Sequence, residues 1–267
     1  YRTTYEIIGN PLISILIPNK DHIDDLERCI ESIESKSSYN NYEYIIIENN
    51  STDQETFDYY KKLEHENSKV KVVYWDGIFN YSAINNFGAK HANGDYYLLL
   101  NNDTEIITPH WLQVMVGYAM QPHSGAVGAK LLYPDNTVQH AGIILGIGGI
   151  AQHCFIDNPR EDVGFYGRLS VPFNYSAVTA ACLMVSKEKY LGVNGLEEDL
   201  QVAFNDVDFN LKLLKQGYYN ICLNQVELYH YESKSRGDDT VDTNSAKYRR
   251  FVQEHDYIKD KWGYMLY

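Results

Sequence analysis

From residue 13 to residue 100 the chain alternates short apolar runs with stretches whose apolar residues recur at helical spacing. That alternation is what βαβ units produce, and it commits a chain to a largely parallel sheet. Ile13 to Ile17 reads as a strand closed by Pro18, and Asp24 to Ile33 carries Leu26, Ile30 and Ile33 on one helical face. Tyr44 to Ile47 and Val70 to Tyr74 are the next strands, Ser82 to Ala92 a helix stopped by Gly94, and Tyr96 to Leu100 the fourth strand. The expected class is α/β, with a Rossmann-like, mixed and mostly parallel central sheet flanked by helices. The second half is less regular. Residues 177–185 read as strand, Asp206 to Gln216 as a helix stopped by Gly217, Ile221 to Leu223 and Val226 to Tyr229 as two short strands, and 245–262 as a charged helix with aromatic residues. No internal repeat is visible.

A chain of 267 residues without an obvious linker is expected to bury one core, in one catalytic domain. Its formal charge of -13 argues against nucleic acid as a partner, because neutralising phosphates needs clustered Lys and Arg. Twenty-four Tyr lean towards carbohydrate chemistry, since an amphipathic ring stacks on sugars and bases alike. Cys29, Cys154, Cys182 and Cys222 show no paired spacing and read as reduced, buried thiols. No apolar run reaches the roughly 20 residues of a membrane span, and no signal peptide is visible, so a soluble, cytoplasmic protein is expected. Association with the inner face of the membrane through partners or missing segments stays open, as does a homo-oligomer. The chain starts at Tyr1 and stops at Tyr267 without natural landmarks, as a piece excised from a longer protein does.

Ligands of open α/β sheets bind beyond the carboxyl ends of strands. The residues at those places here are Pro18-Asn19-Lys20, Glu48-Asn49-Asn50-Ser51 and Asn101-Asn102-Asp103, all rich in oxygen ligands and amide donors. A second acidic cluster, Asn205-Asp206-Val207-Asp208, opens the later helix. One acid at a strand end and another at a helix start suggest metal-assisted group transfer. Gly142, Gly146, Gly148 and Gly149 do not have the GxGxxG order, which excludes a dinucleotide-binding dehydrogenase.

The order of these motifs resembles family 2 glycosyltransferases of the GT-A fold. Ile46 to Asp53 stands where that family has V-V-D-D-G-S-x-D, Ile84 to Gly88 resembles A-R-N-x-G, and Leu100 to Asp103 resembles L-D-D-D. Asn205 to Asp208 resembles E-D-x-D, and Tyr229-His230 with Ser233 resembles Y-H-x-x-S, so the match runs over roughly residues 11 to 237. Phe79 to Ser82, Gln139 to Gly142 and His230 to Gly237 bring the chain nearest to bacterial members that build rhamnose-containing surface polysaccharides or glycosylate serine-rich adhesins.

The resemblance implies an inverting, metal-dependent transfer of a sugar, glucosyl or rhamnosyl, from a UDP- or dTDP-sugar to a glycan or glycoprotein acceptor. It places the catalytic domain at 1–240, with a nucleotide-binding half at about 11–105, an acceptor-side half at about 106–240, and a helical segment at 241–267. Asp206 is the expected general base, with Asp208 as runner-up. Asp103 and His230 are the expected ligands of Mn2+ or Mg2+, which stabilises a departing diphosphate as a Lewis acid. Pro18, Asn19, Glu48, Asn49, Ser51, Asn85, Asn101 and Asn102 are expected to bind the nucleotide, and Lys234, Ser235 and Arg236 the diphosphate. Two departures from the family pattern bear on this. Asn101 puts a neutral carbonyl where the D-x-D triplet starts, which leaves most of the cation binding to Asp103. Glu48-Asn49 replaces a carboxylate pair that reads uracil, which loosens base identity. Phe79 to Ser82 and Trp75-Asp76 are expected in a loop lining the cleft, Trp111 in the core, and His140 either facing the sugars or packed inside. Two other classes fit the same residues less well: a catalytically weak sugar-binding or assembly module derived from such an enzyme, and a sugar-1-phosphate nucleotidyltransferase, which would need a Gly-rich loop where Ile17 to Asp21 stands.

Overall fold

The apolar runs of the first half become strands, and the amphipathic stretches between them become helices laid on the sheet. The computed structural model describes residues 3–147, 149–231 and 245–266. In it β1 (Ile13–Asn19), α1 (Ile23–Lys36), β2 (Tyr42–Glu48), α2 (Gln54–Glu66), β3 (Val70–Tyr74), α3 (Tyr81–His91) and β4 (Tyr96–Leu100) follow one another. β1 pairs in parallel with β2 and β4, and β2 pairs in parallel with β3. Both faces of this block are covered: Ile13, Ile15 and Ile17 pack with Leu26, Ile30 and Ile33 of α1, and Leu16 packs on the other side with Ile84 of α3. Burial on both faces is why these strands read as continuous apolar runs instead of alternating ones.

The second half adds β5 (Thr104–Ile106), α4 (Trp111–Ala119), β6 (Ser124–Leu132), β7 (Val138–His140), β8 (Ile143–Leu145), β9 (Ala151–His153), β10 (Pro172–Tyr175), β11 (Cys182–Ser186), α5 (Lys187–Gly192), α6 (Asn205–Lys215), β12 (Tyr219–His230) and α7 (Ala246–Leu266). The main sheet runs β10-β12-β6-β11-β4-β1-β2-β3, with β5 on β12 and β7 on β6, while β8 and β9 form a separate hairpin. β11 is antiparallel to both β4 and β6, and β12 is parallel to β6. As a result β6 and β12 run the same way as β1 to β4. The carboxyl ends of β1, β2, β4 and β12 therefore share one edge, joined there by the amino end of β11, where Cys182 pairs with Leu100. The result is a mixed, mostly parallel α/β sheet with flanking helices, as expected.

Three local expectations need correction. Gly94 is not a left-handed helix stop: α3 ends at His91 with Ala92 extended, and Gly94 lacks a side chain because a Cβ there would stand 2.6 Å from Ser14 N. Gly217, by contrast, has φ +88 and does end α6 in the left-handed region. Residues 177–181 are not strand. They form a turn before β11, paired to Ile143 through Ala177 N and O, and an apolar run alone does not separate these states. The two short strands near 221 and 226 are one strand, β12, interrupted by a register shift between Leu223 and Glu227. Trp111 and the four cysteines are buried, as expected. No helix of the described residues is long and apolar enough to cross a membrane.

The last helix is built into the fold through α6. Ile258, Trp262 and Leu266 pack with Val207 and Leu211. Trp262 Nε1 donates to Asp208 Oδ1 at 2.7 Å, Lys261 Nζ lies 2.9 Å from the same oxygen, and Lys212 Nζ lies 3.3 Å from Oδ2. The buried Glu254 carboxylate accepts the backbone N–H groups of Val202 at 3.0 Å and Ala203 at 2.8 Å. This helix thus braces the loop that leads into Asp206. Trp262→Phe keeps the ring contact but removes an N–H from a buried carboxylate, so urea unfolding should show a loss of about 1–3 kcal/mol. A loss within about 0.5 kcal/mol, the range of surface substitutions, would refute the anchoring role.

Candidate active site

Three strand ends, those of β1, β2 and β4, supply the first part of the site, and their polar side chains are wired to one another. Asn102 Nδ2 donates to Asn19 Oδ1 at 2.6 Å, and Asn19 Nδ2 donates to Tyr60 Oη at 2.7 Å. Tyr60 Oη donates to Glu48 Oε2 at 2.7 Å, which also accepts from Ser51 Oγ at 2.6 Å, while Glu48 Oε1 accepts from Ser51 N. Glu48, 3% exposed, thus spends three of its four lone-pair sites on protein donors. Asn49 takes its place through Asn49 N to Asn19 O at 2.9 Å and through Nδ2 to Gly77 O at 3.4 Å. Pro18, in β1 opposite Ile47, is half-buried beside this group. Tyr60, on α2, joins two strand ends and left no signal in the sequence beyond its ring.

Beyond β4 the chain turns through Asn101-Asn102-Asp103, and β12 ends beside that turn. The pairing of His230 with Thr104 brings together residues 126 positions apart in sequence. His230 Nε2 stands 3.2 Å from Asn101 Nδ2 and 3.2 Å from Asp103 Oδ1. The approach to Asp103 is not aligned as a hydrogen bond, and Asp103 Oδ1 is a buried oxygen without a hydrogen-bond partner. A carboxylate oxygen lacking a donor beside an imidazole nitrogen suits a divalent cation, so these residues fit Mn2+ or Mg2+, and the imidazole favours Mn2+. Among the described residues no group of three or more His, Cys, Asp and Glu surrounds one point.

Asp206 and His230 face a common cleft of about 300 Å³, whose wall also includes Phe79, Tyr81, Asn101 and His153. Asp206 lies in the first turn of α6, where Oδ1 accepts from Val207 N at 2.8 Å and Oδ2 from Ala180 N at 3.4 Å. Asn210 holds the 177–181 turn against this helix: Oδ1 accepts from Val178 N at 3.2 Å, and Nδ2 donates to Val178 O at 3.0 Å and to Asp206 O at 2.7 Å. Tyr81 Oη lies 3.0 Å from Ala180 O and 3.3 Å from Asn101 Oδ1, linking the Asp206 side of the cleft to the His230 side. Burial and the nearby Asp206 carboxylate push the Tyr81 hydroxyl up, which keeps it a donor.

Asp208 and Asn85 do not stand where the sequence suggested, and His140 takes the inner of the two places expected for it. Asp208, the second candidate base, is fully buried under Trp262, Lys261 and Lys212 and cannot meet an acceptor. Asn85 is also enclosed and donates back to Tyr81 O at 2.8 Å, so one turn of α3 puts Tyr81, not Asn85, on the cleft wall. Asn19, Glu48, Asn49, Ser51 and Asn102 lie outside that wall, joined to it through the turn 101–103. His140 packs inside: Gly142 N and Thr179 N approach its Nε2 at 3.3 and 3.4 Å, and burial, then His153 and His230, hold its pKa well down. Lys234, Ser235 and Arg236, with Ser233, lie outside the described residues.

Residues 14–177 match the family described as Glycosyl transferase family 2. The chain is 42% identical over 263 residues to an uncharacterised protein, y4gI, of Sinorhizobium fredii (strain NGR234), covering 98% of this chain and 29% of that one. It is 39% identical over 248 residues to the O-antigen biosynthesis protein RfbC of Myxococcus xanthus, covering 90% of this chain and 19% of that one. The chain thus spans less than a third of the length of these curated relatives. The crystal structure of GalNAc-T7 with UDP, GalNAc and Mn2+ superposes with a TM-score of 0.72 at 15% identity, over 95% of this chain and 50% of that one. At that identity the likeness concerns the fold, which is of the GT-A kind.

Proposed function

Because the chain belongs to glycosyl transferase family 2, we propose that it moves a sugar from a UDP- or dTDP-activated donor to a hydroxyl of a glycan or glycoprotein acceptor, inverting the anomeric centre. The observation that carries this reading is the meeting of Asp206 and His230 in one cleft, with Asp103 3.2 Å from the His230 ring. Asp206 receives the proton of the acceptor hydroxyl as that oxygen bonds to the anomeric carbon and the bond from that carbon to the diphosphate oxygen breaks. Asp103 and His230 would hold a divalent cation, which supplies Lewis-acid stabilisation of the charge left on the diphosphate. Asn19, Glu48, Asn49, Ser51 and Asn102 form the rigid polar edge on which the nucleotide rests. Lys234, Ser235 and Arg236 are the proposed partners of the diphosphate, because Lys and Arg supply charge-assisted hydrogen bonds to phosphate oxygens.

The name of the Myxococcus relative supports a place in bacterial surface polysaccharide synthesis. Glucose and rhamnose are the donor sugars to test first. A luminescent nucleotide-release screen over UDP- and dTDP-sugars, with Mn2+ or Mg2+ and with EDTA, should find one donor whose turnover requires the cation. Asn101, a neutral residue where the family carries a carboxylate, favours a second reading, a catalytically weak sugar-binding module. Nucleotide binding without release from any donor would decide for that module.

A further inference from the structure

His230 is useful as a ligand only if its Nε2 carries a lone pair, and which ring nitrogen holds the proton depends on what the other one meets. Nδ1 meets Gln139 Oε1 at 2.7 Å, while Gln139 Nε2 lies 3.5 Å from the carbonyl of His230 itself. Only the NH2 end of the amide can donate to a carbonyl, so that second contact turns Oε1 towards the ring. An amide oxygen accepts and cannot donate. The neutral ring therefore carries its proton on Nδ1, and Nε2 is left bare towards Asn101 Nδ2 and Asp103 Oδ1. The Asn101 amide faces the same nitrogen with its donor end, which suits a lone pair there.

The strand geometry shows how Gln139 reaches its position. Leu131 of β6 pairs with His140 of β7, but Leu132 pairs with Val138, so Gln139 is the extra residue of a β-bulge. Bulges next to active sites re-aim a side chain. This one sends the 3% exposed Gln139 amide past β6 to the end of β12. Its main chain acts on a second ring of the cleft wall, since Gln139 O lies 3.3 Å from His153 Nδ1 and a carbonyl can only accept.

The geometry points to Gln139 as a positioning residue that holds His230 in its Nδ1–H tautomer, with the Nε2 lone pair aimed at the place beside Asp103. The value of that lone pair to the enzyme rests on the cation site proposed above. The test has a metal-free and a metal-bound arm, both on the whole chain. With 15N-labelled histidine at pH 8, His230, assigned by the loss of its signals in His230→Gln, should show a protonated Nδ1 and a bare Nε2. Gln139→Leu should move the ring to a mixture or to the opposite tautomer, while Gln139→Glu, which still accepts from Nδ1, should keep it. In Mn2+ titrations followed by electron paramagnetic resonance, Gln139→Leu should weaken binding about 10–100-fold, the usual effect of losing a partner behind a ligand, and Gln139→Glu should stay near the unmodified protein. A folded Gln139→Leu with unchanged His230 signals and unchanged Mn2+ affinity overturns the proposal. An unmodified chain that binds no Mn2+ but shows the protonated Nδ1 removes the cation site and leaves the tautomer assignment standing.

Discussion

Asp206→Asn is expected to lower turnover about a thousandfold, within the 10²–10⁴ range that a general base contributes, while nucleotide affinity stays within a few fold. The separation follows from position. Asp206 lines the cleft from the first turn of α6, whereas the polar edge of Asn19, Glu48, Asn49 and Ser51 lies outside that wall. The substitution keeps an oxygen able to accept from Val207 N, so the helix start retains its local bond and the fold should survive. What disappears is a carboxylate able to take the acceptor proton. Asp208→Asn is the informative comparison: it should lower stability through Trp262 and Lys261 rather than abolish the chemical step. Steady-state nucleotide release with a confirmed donor and acceptor, alongside calorimetry with the free nucleotide, reads both quantities. Near-normal turnover in Asp206→Asn would exclude the base assignment.

Asp103→Ala should cost at least about a hundredfold in Mn2+ affinity, beyond the 10–100-fold attached to residues that only support a ligand. Cation-stimulated turnover should fall with it. The expectation is large because Asn101 offers no charge: its amide faces His230 and Tyr81, which leaves Asp103 as the carboxylate next to the His230 ring. Removal of this half-buried acid has a second consequence that separates a ligand from a merely structural group. Without a cation, Asp103→Ala should fold normally, because Asp103 Oδ1 makes no hydrogen bond that the fold depends on. A variant that melts like the unmodified protein yet no longer gains thermal stability from Mn2+ would bear this out. An unchanged Mn2+ titration would rule Asp103 out as a ligand.

Much of the site was legible because strand ends in an α/β sheet are predictable places. Asn19, Glu48 and Asn101 each follow an apolar run, and their convergence needs only the parallel order of the strands. The same logic does not find Gln139, whose reach depends on a one-residue bulge, nor Asn210, which looks like an ordinary polar residue on a helix. It also misled at Asp208 and Asn85. Helical periodicity says that Asp206 and Asp208 lie on different faces of α6, but not which face meets the cleft and which meets α7.

The amino-acid sequence by itself determined the α/β class, the strand ends that carry polar groups and the family to which the chain belongs, because periodicity and motif order are local properties of a chain. Only the tertiary structure decided which carboxylate is free and which is consumed by a neighbour, how Tyr81 replaces Asn85 on the cleft wall, and which nitrogen of His230 is bare. Those outcomes depend on contacts between segments far apart in the chain, such as β7 with β12 and α7 with α6. A hydrogen bond forms or fails there over a few tenths of an ångström, a distance that no pattern along the chain encodes.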